Sequence, residues 1–286
     1  MSAVVNLPAA ATAPLPTTAV APRRWIGRFG RGSVSVAALA AGIGLWYAVS
    51  YLILSPSRRF LLPPPHTVLT ESLLDPVHLQ PMLTALGVTA KVAGIGFVFA
   101  AAIGVAIGAL MSQTWWLERA IFPYAVVLQV VPILAITPLL GLWFGYSTMS
   151  RVAVCVMIAL FPIITNTHFG FRSVDPGLHE LFTLGRATRL QRLIRLELPA
   201  ASPSILTGLR IASGQVIIGA IIGDMFFAQG QPGIGTLMDN FRAQLRSTDL
   251  IAAITLAAVF GVTVFVAFSA ISRLAVGRWH SSGGAR

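Results

Sequence analysis

The sequence predicts an all-α, polytopic membrane protein with about six transmembrane helices. Three observations carry that prediction. Only 10% of the 286 residues are charged and 56% are hydrophobic, whereas a soluble domain is about 25% charged. Six apolar runs, near 34–55, 85–111, 120–144, 150–170, 204–226 and 250–273, have about the 20 residues that a bilayer crossing needs. The basic excess, a formal charge of +11, lies mostly between those runs, as membrane topology demands. No nucleic-acid-binding motif accompanies it.

Residues 1–32 read as a disordered cytoplasmic tail. They begin rich in Ala, Pro and Thr, and they lack the charged and then apolar regions of a signal peptide. A transmembrane domain follows over 33–275, with a polar loop at 171–203, and 276–286 form a cytoplasmic C-terminal tail. Gly94, Gly96, Gly104 and Gly108 suit the second run to close helix packing. Pro123, Pro132 and Pro138 predict a kinked or broken third run. The single cysteine, Cys155, sits in the fourth run and reads as a small core hydrophobe. Outer loops at 56–84 and 227–249 each hold a short helix-like stretch, the first near 66–74.

Charge sets the orientation. With both termini inside, Arg23, Arg24, Arg28 and Arg31 and the run Arg186, Arg189, Arg192 and Arg195 all lie inside. Arg58, Arg59, Lys91, Arg151, Arg242 and Arg246 are left outside. The positive-inside rule favours this arrangement.

The 171–203 loop predicts a helix, a turn and a second helix at the membrane surface. Asp175-Pro176 is a helix start. Leu178, Leu181, Phe182 and Gly185 give the first helix a partly apolar face. In the second, about 187–197, Arg189, Arg192 and Arg195 recur at i+3 while Leu190, Leu193, Ile194 and Leu196 gather elsewhere. Pro199 and Pro203 are expected to end it. Such a pair can meet an acidic partner or phospholipid headgroups.

Polar groups inside apolar runs are costly and therefore candidates for function. Gln129, Thr137, Asn166, Gln215 and Asp224 are expected to line a translocation path. Interhelical hydrogen bonds are the alternative for the neutral ones. Asp224 can contact solute, gate the outer side, pair with a loop arginine, or sit at headgroup depth. The histidines show no metal-ligand spacing, and no phosphate-binding Gly-x-x-x-x-Gly-Lys-Ser/Thr loop is present. Catalysis, ATP hydrolysis and a bound cofactor are thus not expected of this chain. A self-contained secondary transporter or channel would need coupling-ion carboxylates in the spans, and only Asp224 offers one.

The stretch from Glu180 to Pro199 is similar to a motif of binding-protein-dependent ABC importer permeases: Glu-Ala-Ala, three residues, Gly, nine residues, Ile, one residue, Leu-Pro. Glu180 takes the Glu position, Leu181 and Phe182 the two Ala positions, Leu196 the Ile position and Leu198-Pro199 the Leu-Pro. The Gly position falls on Arg186, with Gly185 one residue early. Either a left-handed Gly185 with a slight register change restores the turn, or Arg186 itself fills it. Pro132-Ile-Leu-Ala-Ile-Thr-Pro138, Phe161-Pro162-Ile-Ile-Thr-Asn166-Thr167, Leu62-Pro63-Pro64-Pro65 and Gly233-Ile-Gly235 resemble the nitrate, sulfonate and taurine branch. The resemblance implies a type I importer permease in a bacterial inner membrane. It also implies coupling through Glu180, Gly185, Arg186, Arg189, Leu196, Leu198 and Pro199, with 186–197 as the coupling helix. The implied partners are an ATPase subunit that binds ATP and Mg, a periplasmic or lipid-anchored solute-binding protein, and a second permease copy, as a homodimer. The implied cargo is a small anion such as nitrate, a sulfonate or taurine, while related permeases also serve pyrimidine-type precursors and aromatic acids.

Overall fold

A computed structural model describes residues 28–227 and 229–276. The proposed tails lie outside these residues, except that 28–32 are already helical. The chain divides into two units, one ending at Trp46 and one beginning at Tyr47. Helix α1, Arg28–Ala48, supplies the described part of the first and runs into a π-helical turn at Val49–Ile53.

The second unit is built around three of its four long helices: α3 (Pro76–Gln113), α6 (Thr148–Arg172) and α9 (Leu198–Phe226). Before α3 come a 3₁₀ turn at Pro56–Leu61 and the short α2, Pro65–Val68, extended by a π-turn at Leu69–Leu73. The short helix predicted at 66–74 is therefore present. Between α3 and α6 lie α4 (Trp115–Val130) and α5 (Ile133–Phe144). Beyond α6 come α7 (Pro176–Leu184) and α8 (Arg189–Arg192), and beyond α9 come α10 (Ile234–Ala243) and α11 (Ser247–Val276). No strand occurs among the described residues.

The predicted spans coincide with helices long and apolar enough to cross a bilayer, but the third is a bent pair. The axes of α4 and α5 meet at 104°. The break falls at Val131-Pro132, both in extended conformation, because a residue before proline is pushed out of the helical region. Pro123 and Pro138 lie inside helices and do not break them.

One seam holds α3, α6 and α9 together. Val92 and Ala100 of α3, Val152, Cys155, Ala159 and Ile163 of α6, and Ala212, Val216 and Ala220 of α9 form its buried core. The α6 and α9 positions recur every three or four residues, which aligns them on one face. Small residues permit the approach. A Cβ added to Gly104 would stand 2.7 Å from the Ile163 side chain, and one on Gly108 would stand 2.8 Å from the Ile164 carbonyl. Gly96 abuts Cys155 in the same way, but Gly94 faces open space. Three of the four glycines singled out in this run thus serve packing.

The end of the unit that carries α10 is tied by a polar cluster. Asp249, at the start of α11, accepts from Ser72 at 2.7 Å and from Arg246 at 2.8 Å, and its Oδ1 lies 2.7 Å from His78 Nδ1.

Gly108→Ala is expected to lower stability by about 1–3 kcal/mol through overpacking, whereas Gly94→Ala leaves it unchanged or slightly raised. Thermal unfolding of the two purified variants in one detergent checks the contrast; equal behaviour would contradict the seam.

Candidate functional site

Two arrangements stand out, one in the 173–197 loop and one inside the bundle. The loop begins at Ser173, where α6 ends. The Asp175 carboxylate accepts from the Gly177 N–H at 2.7 Å and Pro176 occupies the first turn, which starts α7. At the other end of α7, the Ala187 N–H bonds the Phe182 carbonyl and the Arg186 N–H bonds the Thr183 carbonyl, both at 3.0 Å. This crossed pair is a Schellman motif, and its left-handed residue is Arg186, with φ +50°. Gly185 has φ −73°. Of the two candidates for the turn, the left-handed residue is thus Arg186 and not Gly185. Arg186 itself takes the turn position, so the Glu180-to-Pro199 spacing holds without a shift.

A capping box then opens α8: the Gln191 N–H bonds the Thr188 hydroxyl, and the Gln191 side chain accepts from the Thr188 N–H. Arg192 reaches back to the Thr183 hydroxyl at 2.8 Å, which fixes α8 against α7. The second helix does not end at Pro199 and Pro203 as expected. A π-turn at Leu193–Glu197 carries α8 directly into α9, with the Leu198 N–H bonded to the Leu193 carbonyl. Pro203 frees the Pro199 carbonyl, and the Ser202 hydroxyl takes it at 2.8 Å. Prolines break helices through unmet carbonyls and clashes; here a wide turn and a serine absorb both.

The loop is open outward. No residue of α7 is buried, and Leu181 and Leu184 are 60% and 83% exposed. Glu180, Gly185, Arg186, Arg189, Leu198 and Pro199 are also exposed, while Leu196 is buried and anchors the π-turn.

The second arrangement realises one of the roles weighed for Asp224, with a partner that the charge count had placed in a loop. Arg151, counted above with the outer loops, is 1% exposed and lies inside α6. Its guanidinium donates to Asp224 Oδ1 at 3.1 Å and to the carbonyls of Phe227, Gln231 and Gln229 at 2.9, 3.1 and 2.9 Å. Asp224 is 0% exposed, and its Oδ2 accepts from the Thr89 hydroxyl at 2.5 Å. That hydroxyl in turn accepts from the Ile234 N–H at 2.8 Å. One pair thus joins α3, α6, α9, the 227–233 turn and the start of α10. Gly233 and Gly235 make it possible: a Cβ on Gly233 would fall on the Asp224 carboxylate, and one on Gly235 on the Ile221 carbonyl. The available signal was a lone arginine and a lone aspartate in separate apolar runs, since intramembrane charges pair with one another.

The remaining path candidates do not converge. Among the described residues, no hydrogen bond or ion pair joins any two of Gln129, Thr137, Asn166, Gln215 and Asp224. Gln129 is exposed on α4. Thr137 and Asn166 bond carbonyls of their own helices, Ile133 at 2.7 Å and Pro162 at 2.7 Å. The Gln215 side-chain Oε1 is buried without a partner. Asp224 is enclosed, and of the roles weighed for it the one visible is the pairing with an arginine.

A family model described as "Binding-protein-dependent transport system inner membrane component" matches residues 80–280. The chain is similar to a formylaminopyrimidine transport permease protein of Halalkalibacterium halodurans, 32% identical over 80% of this chain and 89% of that protein. A bicarbonate transport system permease protein of Synechococcus elongatus is 29% identical over 80% of this chain and 86% of its own. A putative aliphatic sulfonates transport permease protein of Escherichia coli is 34% identical over 58% of this chain, and the match spans 62% of that relative's length. Among solved structures, one of the MetNI methionine ABC transporter aligns with TM-score 0.62 and 16% identity, over 71% of this chain and 99% of that one. One of a bacterial ABC transporter involved in alginate import aligns with TM-score 0.59 and 14% identity, over 85% and 96%. These two show the fold.

Two predictions follow from the geometry. Arg151→Ala is expected to cost about 3–5 kcal/mol by leaving a buried carboxylate unpaired. A double-mutant cycle with Asp224→Asn in detergent should show coupling of about 0.5–3 kcal/mol; additive effects would contradict the pairing. Arg186→Gly should stabilise the chain by about 1 kcal/mol, while Gly185→Ala, whose Cβ meets nothing closer than 3.5 Å, should be near neutral. The reverse order in thermal scans would return the left-handed role to Gly185.

Proposed function

Because the chain belongs to the family of binding-protein-dependent transport system inner membrane components, the permease subunits of ABC importers, we propose that its 173–197 loop transmits the work of a separate ATPase to the membrane helices. The carrying observation is the exposed α7 with Leu181 and Leu184 uncovered, closed by a turn whose spacing matches the family motif without a gap. Glu180 and Arg186, also exposed on this loop, add charge of the kind that borders a protein interface. The docking element is α7 with its turn rather than 186–197 alone, because 189–197 is continuous with α9. ATP and Mg belong to the ATPase, and a solute-binding protein delivers cargo at the α10 end. A second permease copy, as a homodimer, encloses the path. Both termini face the cytoplasm by the charge bias.

The cargo in this proposal is a small anion of the nitrate, sulfonate or taurine type. Relatives named for aliphatic sulfonates and bicarbonate support it. A heterocyclic precursor is the second reading, favoured by the relative named for formylaminopyrimidine, 89% of whose length is matched.

Tagged chain purified from membranes should bring down an ATPase subunit. The variant Leu181→Asp with Leu184→Asp should lose that capture while keeping its unfolding temperature, and ATP-driven uptake should fall with it. Uptake of sulfonate, bicarbonate and formylaminopyrimidine by the reconstituted assembly separates the cargo readings. Transport without ATP and without a captured ATPase would overturn the proposal in favour of a secondary transporter.

A further inference from the structure

Beneath the loop lies a cavity of about 500 Å³. Gln113 of α3, Arg172 of α6, and His179, Arg189, Arg192 and Glu197 of the loop are among its walls. Its charges do not balance internally. Arg172 is bound to Glu118 at 2.5 Å. Glu197, the one acid in the lining, accepts from Gln113 at 3.1 Å and faces His179 at 4.0 Å. Arg192 has only a neutral partner, the Thr183 hydroxyl, and its Nε is buried with no partner at all. Arg189 makes no hydrogen bond or ion pair among the described residues. Two guanidinium groups are thus left without an acid, and a buried donor without an acceptor is costly. Forked N–H groups of this kind match an oxyanion with several oxygens.

The position narrows the choice. The cavity sits where α3 and α6 end, at the edge of the apolar spans, which is headgroup depth in a bilayer. Basic pockets between spans at that depth suit anionic headgroups. We infer that this cavity holds the phosphate of an anionic phospholipid, with Arg189 and Arg192 as its donors. The inference goes beyond the transport reading and does not depend on whether α7 docks an ATPase. Free phosphate would offer the same oxygens, so the test separates the two.

The full chain is placed in nanodiscs of phosphatidylcholine alone, of phosphatidylcholine with phosphatidylglycerol, and of phosphatidylcholine bathed in inorganic phosphate at matched ionic strength. Unfolding temperature and the lipid retained in native mass spectrometry are read. Phosphatidylglycerol is expected to raise the unfolding temperature and to remain as an adduct. Arg189→Gln with Arg192→Gln should reduce that adduct at least about tenfold, the loss of one or more charge-assisted hydrogen bonds. Arg186→Gln, which removes one charge from the same loop outside the cavity lining, should keep it. Equal adducts in the double variant and the wild type, or equal loss in Arg186→Gln, would overturn the inference. A stabilisation reproduced by inorganic phosphate with no retained lipid would overturn it too.

Discussion

The buried pair of Arg151 and Asp224 is the constraint around which this structure is arranged. Two charges removed from water cost more than their attraction returns unless every remaining donor and acceptor is met. Here the rest of the fold meets them. Three backbone carbonyls of the 227–231 turn close around the guanidinium, and a threonine hydroxyl links the carboxylate to the first turn of α10. The turn must therefore run close to α9, and two glycines permit that approach. Such a pair adds little net stability, but it penalises any packing that separates its members. It sets the rotation of α6 and α9 relative to each other and to α3.

The opposite end follows a different logic. The loop is built from short local signals: an aspartate cap, a Schellman turn and a capping box. Each satisfies backbone groups without burying apolar area. That economy leaves the leucines of α7 outside. A segment rigid in its backbone but uncovered in its side chains is suited to receive a partner with little further ordering cost.

Much of this was legible in the sequence, for identifiable reasons. Span positions follow from hydropathy alone, and the α4–α5 break follows from Pro132. The helix start at Asp175-Pro176 is a local signal and lies where the residues put it. Three features were not legible. The left-handed turn residue stayed open between Gly185 and Arg186 because glycine is the usual choice while the motif spacing points to Arg186, and only the hydrogen-bond register of α7 places the turn on Arg186. Pro199 and Pro203 looked like terminators because their rescue depends on a π-turn and on the Ser202 hydroxyl, which only three dimensions reveal. Arg151 was counted as a loop charge because a tally of basic residues assigns each to the nearest polar stretch. Its partner lies 73 residues away in sequence, and nothing local announces it.

The uninterrupted passage from α8 into α9 has a mechanical meaning. The composite helix Arg189–Phe226 contains 38 residues, a rod of roughly 55 Å at about 1.5 Å per residue. One end stands in the surface loop, and Asp224 lies two residues from the other. A flexible linker at Pro199 would dissipate a push in local bending. A continuous helix behaves instead as a lever, with the π-turn near its handle and the arginine–aspartate pair close to its far tip. Tilting the handle by a few degrees would move that tip by several ångströms, enough to strain hydrogen bonds about 3 Å long.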